Sequence, residues 1–119
     1  MSIRELLRWQ WEGYSTYHQS RANLLLHIVV VPLFLLGNVG LIVGLLQGSL
    51  LLAILSPVAM LVSVALQGKG HAKESEPSVP FSSPVNAISR IFLEQWISFP
   101  RFVLSGGWWK ALQKASIPT

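Results

Sequence analysis

His18, His27 and His71 are the residues of this chain whose type and placement can do chemistry. His27 stands inside "NLLLHIVVVPLFLL", residues 23–36. An imidazole in so apolar a setting costs free energy unless both ring nitrogens are satisfied. A metal, a neighbouring side chain or interfacial water can satisfy them. Two carboxylates, Glu74 and Glu76, follow His71 closely. Imidazoles with carboxylates nearby suit iron, zinc, copper or nickel, and spacing does not choose among them. The spacing also matches no His-Glu-x-x-His zinc signature. There are no cysteines, so thiolate ligands, disulfides and a cysteine nucleophile are excluded. No Ser/His/Asp arrangement or phosphate-binding glycine loop stands out.

The elements that must position these residues follow from hydrophobicity. The chain has 119 residues, a length expected for one domain, 1–119. It is 51% hydrophobic and 12% charged, where soluble domains carry about 25% charged residues. From Leu24 to Leu66 there is no Asp, Glu, Lys or Arg, and His27 is the one ionisable side chain. As one helix that stretch would reach roughly 65 Å, about twice the roughly 30 Å hydrocarbon core of a bilayer. It is broken at Gln47-Gly48-Ser49. The reading is therefore an all-α integral membrane helical hairpin, with spans at about 24–46 and 49–66. A buried soluble hairpin is the alternative.

Flanking segments are amphipathic or irregular. Ser2-Ile3-Arg4-Glu5 fits a capping box, and the apolar spacing after it predicts a surface helix over about 3–17. Glycines and prolines between 67 and 84 predict a loop that carries His71, Glu74 and Glu76. Residues 85–104 return to a helical pattern interrupted by Pro100, and Arg90, Glu94 and Arg101 favour an interfacial helix over a third span. Trp108-Trp109-Lys110, with Trp9, Trp11 and Trp96, suit a membrane interface.

No cleavable signal peptide is expected, because the first 23 residues lack an apolar core and a small-residue cleavage site. Arg4, Arg8 and Arg21 precede the first span, six Lys/Arg follow the second, and the turn has none. The positive-inside rule then predicts a multi-pass protein with both termini cytoplasmic. The net charge of +4 fits anionic headgroups. The basic residues are scattered and carry no nucleic-acid motif, so no nucleic-acid partner is expected.

An antiparallel hairpin gathers all three histidines at one membrane face. Asn23 and His27, at i and i+4, share a helix side. His18 and His27 are nine residues apart, which on a straight helix means opposite faces and about 13 Å of rise. One metal can take both only if the chain breaks between them, near Gln19-Ser20-Arg21.

Two blocks are familiar: "YSTYHQSRANLLLHIVVVPL" (14–33) and "GHAKESEP" (70–77). The first reads Tyr-His, then Asn, then His four later, then Pro; the second reads Gly-His, Glu, Pro. Together they resemble the signature blocks of a membrane family of 2-hydroxy fatty acid dioxygenases. The similarity covers roughly residues 14–100, and the tail "EQWISFPRFVLSGGWWKAL" resembles a bacterial branch. The resemblance implies a membrane enzyme that uses Fe(II) and O2 to shorten a 2-hydroxy fatty acid by one carbon. It implies iron ligands at His18, His27 and His71, with Asn23 at the motif asparagine. The fungal pattern has glutamate four residues after its histidine; here Glu74 lies three after and Glu76 five after. Either can be a fourth ligand or an acceptor for an imidazole N–H, a role open also to Asn23 and Tyr17. A zinc-dependent lipid hydrolase and a non-enzymatic membrane scaffold remain as alternatives on the residues alone.

Overall fold

A computed structural model describes residues 1–115, and among them the chain is all-helical. Helix α1 (Ile3–Gly13) is followed by the two long helices α2 (Arg21–Gln47) and α3 (Leu50–His71). Then come α4 (Pro84–Leu93), a π-helical turn (Glu94–Ser98), α5 (Phe99–Leu104) and α6 (Gly107–Lys114).

Both long helices are long and apolar enough to cross a membrane. Only 33% and 17% of their most apolar windows are buried, whereas the core helix of a soluble protein would be mostly covered. Their outer faces present Leu36, Leu46, Leu50 and Leu61 uncovered, which suits hydrocarbon rather than water.

Gly48 turns the chain in the left-handed region at φ 66°, where a side chain would strain the backbone. Ser49 then caps α3 by accepting from the Leu52 N–H. The two helices pack antiparallel along a stripe of small residues, with Gly37, Gly40 and Gly44 against Ser56, Met60 and Leu52. Buried Ser63 donates across this seam to the Val30 carbonyl.

Helix α1 begins with the expected capping box, Ser2 and Glu5 bonding reciprocally. It ends at Gly13, earlier than the pattern over 3–17 predicts. Residues 14–17 form a turn, and Ser20 caps α2 by accepting from the Asn23 N–H. The chain thus breaks in the stretch where convergence of His18 and His27 requires it.

The loop expected over 67–84 is shorter, because α3 continues through His71. Gly68 and Gly70 do not stop it. Gly70 lies so close to Asn23 and Leu26 of α2 that a Cβ would collide with both, so the helix needs glycine there and is held by packing.

Residues 84–104 form one continuous helical run with a π turn at its centre, and Pro100 does not interrupt it. Its outer side carries Val85, Ile88, Phe92 and Trp96 exposed. Its inner side adds Phe99 and Phe102 to a core with Tyr14, Leu24, Val31 and Leu112. Two of the tryptophans expected at the interface also make hydrogen bonds within the fold: Trp108 Nε1 donates to the Leu24 carbonyl at 2.9 Å and the exposed Trp96 donates through Nε1 to Asn38 Oδ1 at 2.9 Å.

Candidate metal centre

Four elements deliver four side chains to one point: His18 from the α1–α2 link, His27 from α2, His71 from the last turn of α3, and Glu94 from the π turn. Each offers one ligand atom, and these atoms lie within 4.8 Å of one another. Ligands of a shared ion at about 2.1 Å can be at most about 4.2 Å apart, so closure on an ion needs movements of a few tenths of an ångström. The three rings stand edge to face, with centroids 4.8–5.0 Å apart.

Local structure sets each ring. His18 Nδ1 lies 2.7 Å from the Tyr14 carbonyl and His27 Nδ1 lies 3.1 Å from the Asn23 carbonyl. A carbonyl only accepts, so each Nδ1 carries the proton and a neutral ring presents its Nε2 lone pair. The same i to i−4 device is used twice. Tyr14 also stacks on His18, with centroids 3.9 Å apart.

The nitrogens that result have no hydrogen-bond partner: His18 Nε2, His27 Nε2 and His71 Nδ1 are all buried and unsatisfied. Three orphaned imidazole nitrogens around one carboxylate make a donor set that can hold a metal ion, and the residue types fit one. Glu94 Oε2 lies 3.3 Å from His18 Nε2 and 3.8 Å from His27 Nε2. It accepts from the Tyr14 hydroxyl at 2.8 Å.

Electrostatics agree with that geometry. Removal from water pushes the Glu94 carboxyl up, but His18 against it, with positive charge on His27 and His71, outweighs this and holds it at about 2. Burial, reinforced by the Glu94 charge, raises the Tyr14 phenol well above its ordinary value. Tyr14 therefore stays a donor. The carboxylate needs positive charge beside it, which protons on the imidazoles or a cation can supply.

The expected carboxylates lie elsewhere. Glu74 accepts from the backbone N–H of Gln19 and Ser20 and from Asn23 Nδ2, the last at 2.7 Å. It ties the α3–α4 loop to the start of α2 and is a brace at that end. Glu76 is exposed. Asn23 holds His27 through its backbone and Glu74 through its side chain. Tyr17 lines a cavity beside the imidazoles.

That cavity measures about 700 Å³, and His18, His71 and Glu94 form part of its wall. Val64, Val79, Phe81 and Ile91 supply apolar surface. Arg90 also faces it, pinned over the Trp9 and Phe81 rings and donating to the Val79 and Pro80 carbonyls. Behind the site, Gln67 and Gln95 bond each other reciprocally at 2.9 and 2.8 Å, locking α3 to the π turn.

Sequence reasoning noticed Glu94 only as a charge that disfavours a span. The signal that could have found it is the one that singled out His27: an isolated ionisable side chain in an apolar helical pattern. No protein-family model matches the chain, and neither a curated protein nor a solved structure does.

Proposed function

We propose that this chain is an integral membrane, Fe(II)-dependent dioxygenase that shortens 2-hydroxy fatty acids by one carbon. One observation carries the reading: three buried imidazole nitrogens without partners and one carboxylate converge from four separate elements beside a large, mostly apolar cavity, with His18, His71 and Glu94 in its wall. The sequence blocks at 14–33 and 70–77, which contain all three histidines, supply the reaction class by their resemblance.

The net reaction balances: a 2-hydroxy acid and O2 become the acid one carbon shorter, carbon dioxide and water. The bond between C1 and C2 breaks, and O2 is the oxidant. A ferrous ion held by His18, His27, His71 and Glu94 would supply the redox chemistry and leave positions for substrate and O2. The protein's own residues do the rest. Tyr14 and Asn23 carbonyls aim the two Nε2 lone pairs. Glu94 offsets part of the ion's charge, and the Tyr14 hydroxyl occupies its Oε2. The cavity takes an acyl chain, and Arg90 places a positive charge on its wall for an acidic head group.

The test is metal analysis of anaerobically purified protein, followed by O2 uptake with 2-hydroxy fatty acids of several chain lengths. About one iron per chain, lost in His27→Ala, together with substrate-dependent O2 uptake, supports the reading. No O2 uptake from iron-loaded protein at any chain length rejects it. Activity restored by zinc and not by iron would point to a hydrolase, and unchanged behaviour of metal-free variants to a scaffold.

A further inference from the structure

We infer that the groove between α1 and the π turn–α5 segment is a binding site for the phosphate of an anionic membrane lipid. The groove, about 320 Å³, lies across α1 from the metal-site cavity and is lined by Arg4, Arg8 and Arg101 with Leu7, Trp11 and Ile97. Arg4, Arg8 and Trp11 are spaced at i, i+4 and i+7, so they share one side of α1. Glu12 and Ser98 also face the groove, leaving three guanidiniums against one carboxylate.

Among the described residues these arginines are not spent on ion pairs; the two close charge contacts in the structure are His18 and His27 with Glu94. Arg101 lies over the Trp11 ring, its Cζ 4.0 Å from the centroid. A guanidinium so placed can still turn its N–H edge to a phosphate, which arginine grips through two parallel hydrogen bonds. Ser98 is occupied, donating to Gln10.

The lining argues for a lipid rather than a soluble anion. Leu7 and Ile97 sit among the arginines, and Ile97 is exposed. A phosphate carrying acyl chains satisfies both halves of this surface, and inorganic phosphate satisfies only one. The inference rests on the bilayer location proposed above and not on the iron chemistry.

Native mass spectrometry of the full chain in mild detergent, with phosphatidylglycerol and phosphatidylcholine offered together, tests it. The parent should retain phosphatidylglycerol selectively. Arg4→Gln/Arg8→Gln, at exposed positions, should weaken that retention roughly 30-fold, from the typical contribution of each arginine near an anionic surface. Arg101→Lys should weaken it as well, because lysine cannot offer the paired donors. Arg21→Gln/Lys69→Gln, basic residues outside the groove, should retain the lipid as the parent does. Equal retention of phosphatidylcholine, or equal loss in the Arg21/Lys69 variant, would overturn the inference. So would displacement of the lipid by inorganic phosphate at matched concentration. Unchanged helical content and metal content in Arg4→Gln/Arg8→Gln separate a lost site from a lost fold. Alkaline extraction of membranes tests the bilayer location on its own.

Discussion

Glu94→Gln is the substitution that most directly tests the metal centre. Gln keeps the side chain's shape, and its amide oxygen can still accept from the Tyr14 hydroxyl that now bonds Oε2 at 2.8 Å. What is lost is the negative charge that lies 3.3 and 3.8 Å from two imidazole nitrogens. Depression of this carboxyl from 4.5 to about 2 is a net effect of about 3 kcal/mol, and because burial opposes it, the attraction to the positive charge around it is at least that large. A cation bound among the histidines would take over that attraction. Independently, groups that merely support a ligand cost about 10–100-fold in metal affinity when removed, so a direct ligand belongs at the upper end. Both routes give an affinity for ferrous iron about 100-fold weaker. Chelator competition under anaerobic conditions measures it, with thermal unfolding of the metal-free protein as the folding control. The metal-free proteins carry a further signature. The native carboxyl is depressed, so its stabilisation is present above about 4.5 and is lost as pH falls toward about 2. Glu94→Gln should lack that loss. Iron binding by Glu94→Gln equal to the parent would refute the assignment of Glu94 as a ligand.

Four other substitutions separate the site from its supports. Glu74→Ala removes the acceptor of the Gln19 and Ser20 N–H groups and of Asn23 Nδ2. It should lower stability by about 2 kcal/mol, measured by denaturation in detergent, with iron binding recovered at high iron because the four ligands remain. Gly70→Ala should destabilise by about 1–3 kcal/mol and weaken iron binding, since its Cβ would drive α3 from Asn23 and Leu26. Gly48→Ala, with φ 66° and nothing near its Cβ, should cost about 1 kcal/mol in stability and leave iron binding untouched. Gln95→Leu leaves Gln67 without its reciprocal partner and should cost about 1–3 kcal/mol. Gln67→Leu/Gln95→Leu should recover part of that loss in a double-mutant cycle.

Much of the architecture is legible along the chain because it depends on local patterns. Ser2 and Glu5 form their capping box from nearest-neighbour chemistry. Gly48 and Ser49 turn the hairpin because glycine tolerates a positive φ and serine caps a helix. The uncharged stretch between Leu24 and Leu66 dictates two long apolar helices whatever surrounds them. Their antiparallel pairing alone brings His27 and His71 to the same end.

The α3 boundary and the carboxylate were not legible, for different reasons. Gly68 and Gly70 read as breakers, yet α3 runs through His71 because Gly70 is needed where the helix meets Asn23. A packing requirement overrode a local propensity. Glu74 and Glu76 lie nearest His71 in sequence, and nearness favoured them over Glu94. In the fold, Glu74 is drawn to the backbone N–H groups that open α2.

Local signals along the chain set the chemistry on offer: three imidazoles, no thiols, two apolar helices and a hairpin that collects histidines at one end. These follow from composition, periodicity and turn residues, which act over a few positions. Packing settled which carboxylate joins them, which nitrogen each ring presents, and that Arg101 lies over Trp11. Each of these depends on how the helical run over 84–104, with its π turn, packs against α1 and α2. That packing is set by contacts some 80 residues apart, such as the Tyr14 hydroxyl with Glu94 and Trp108 Nε1 with the Leu24 carbonyl. No local pattern encodes such pairs, because their free energy exists only once the chain has closed.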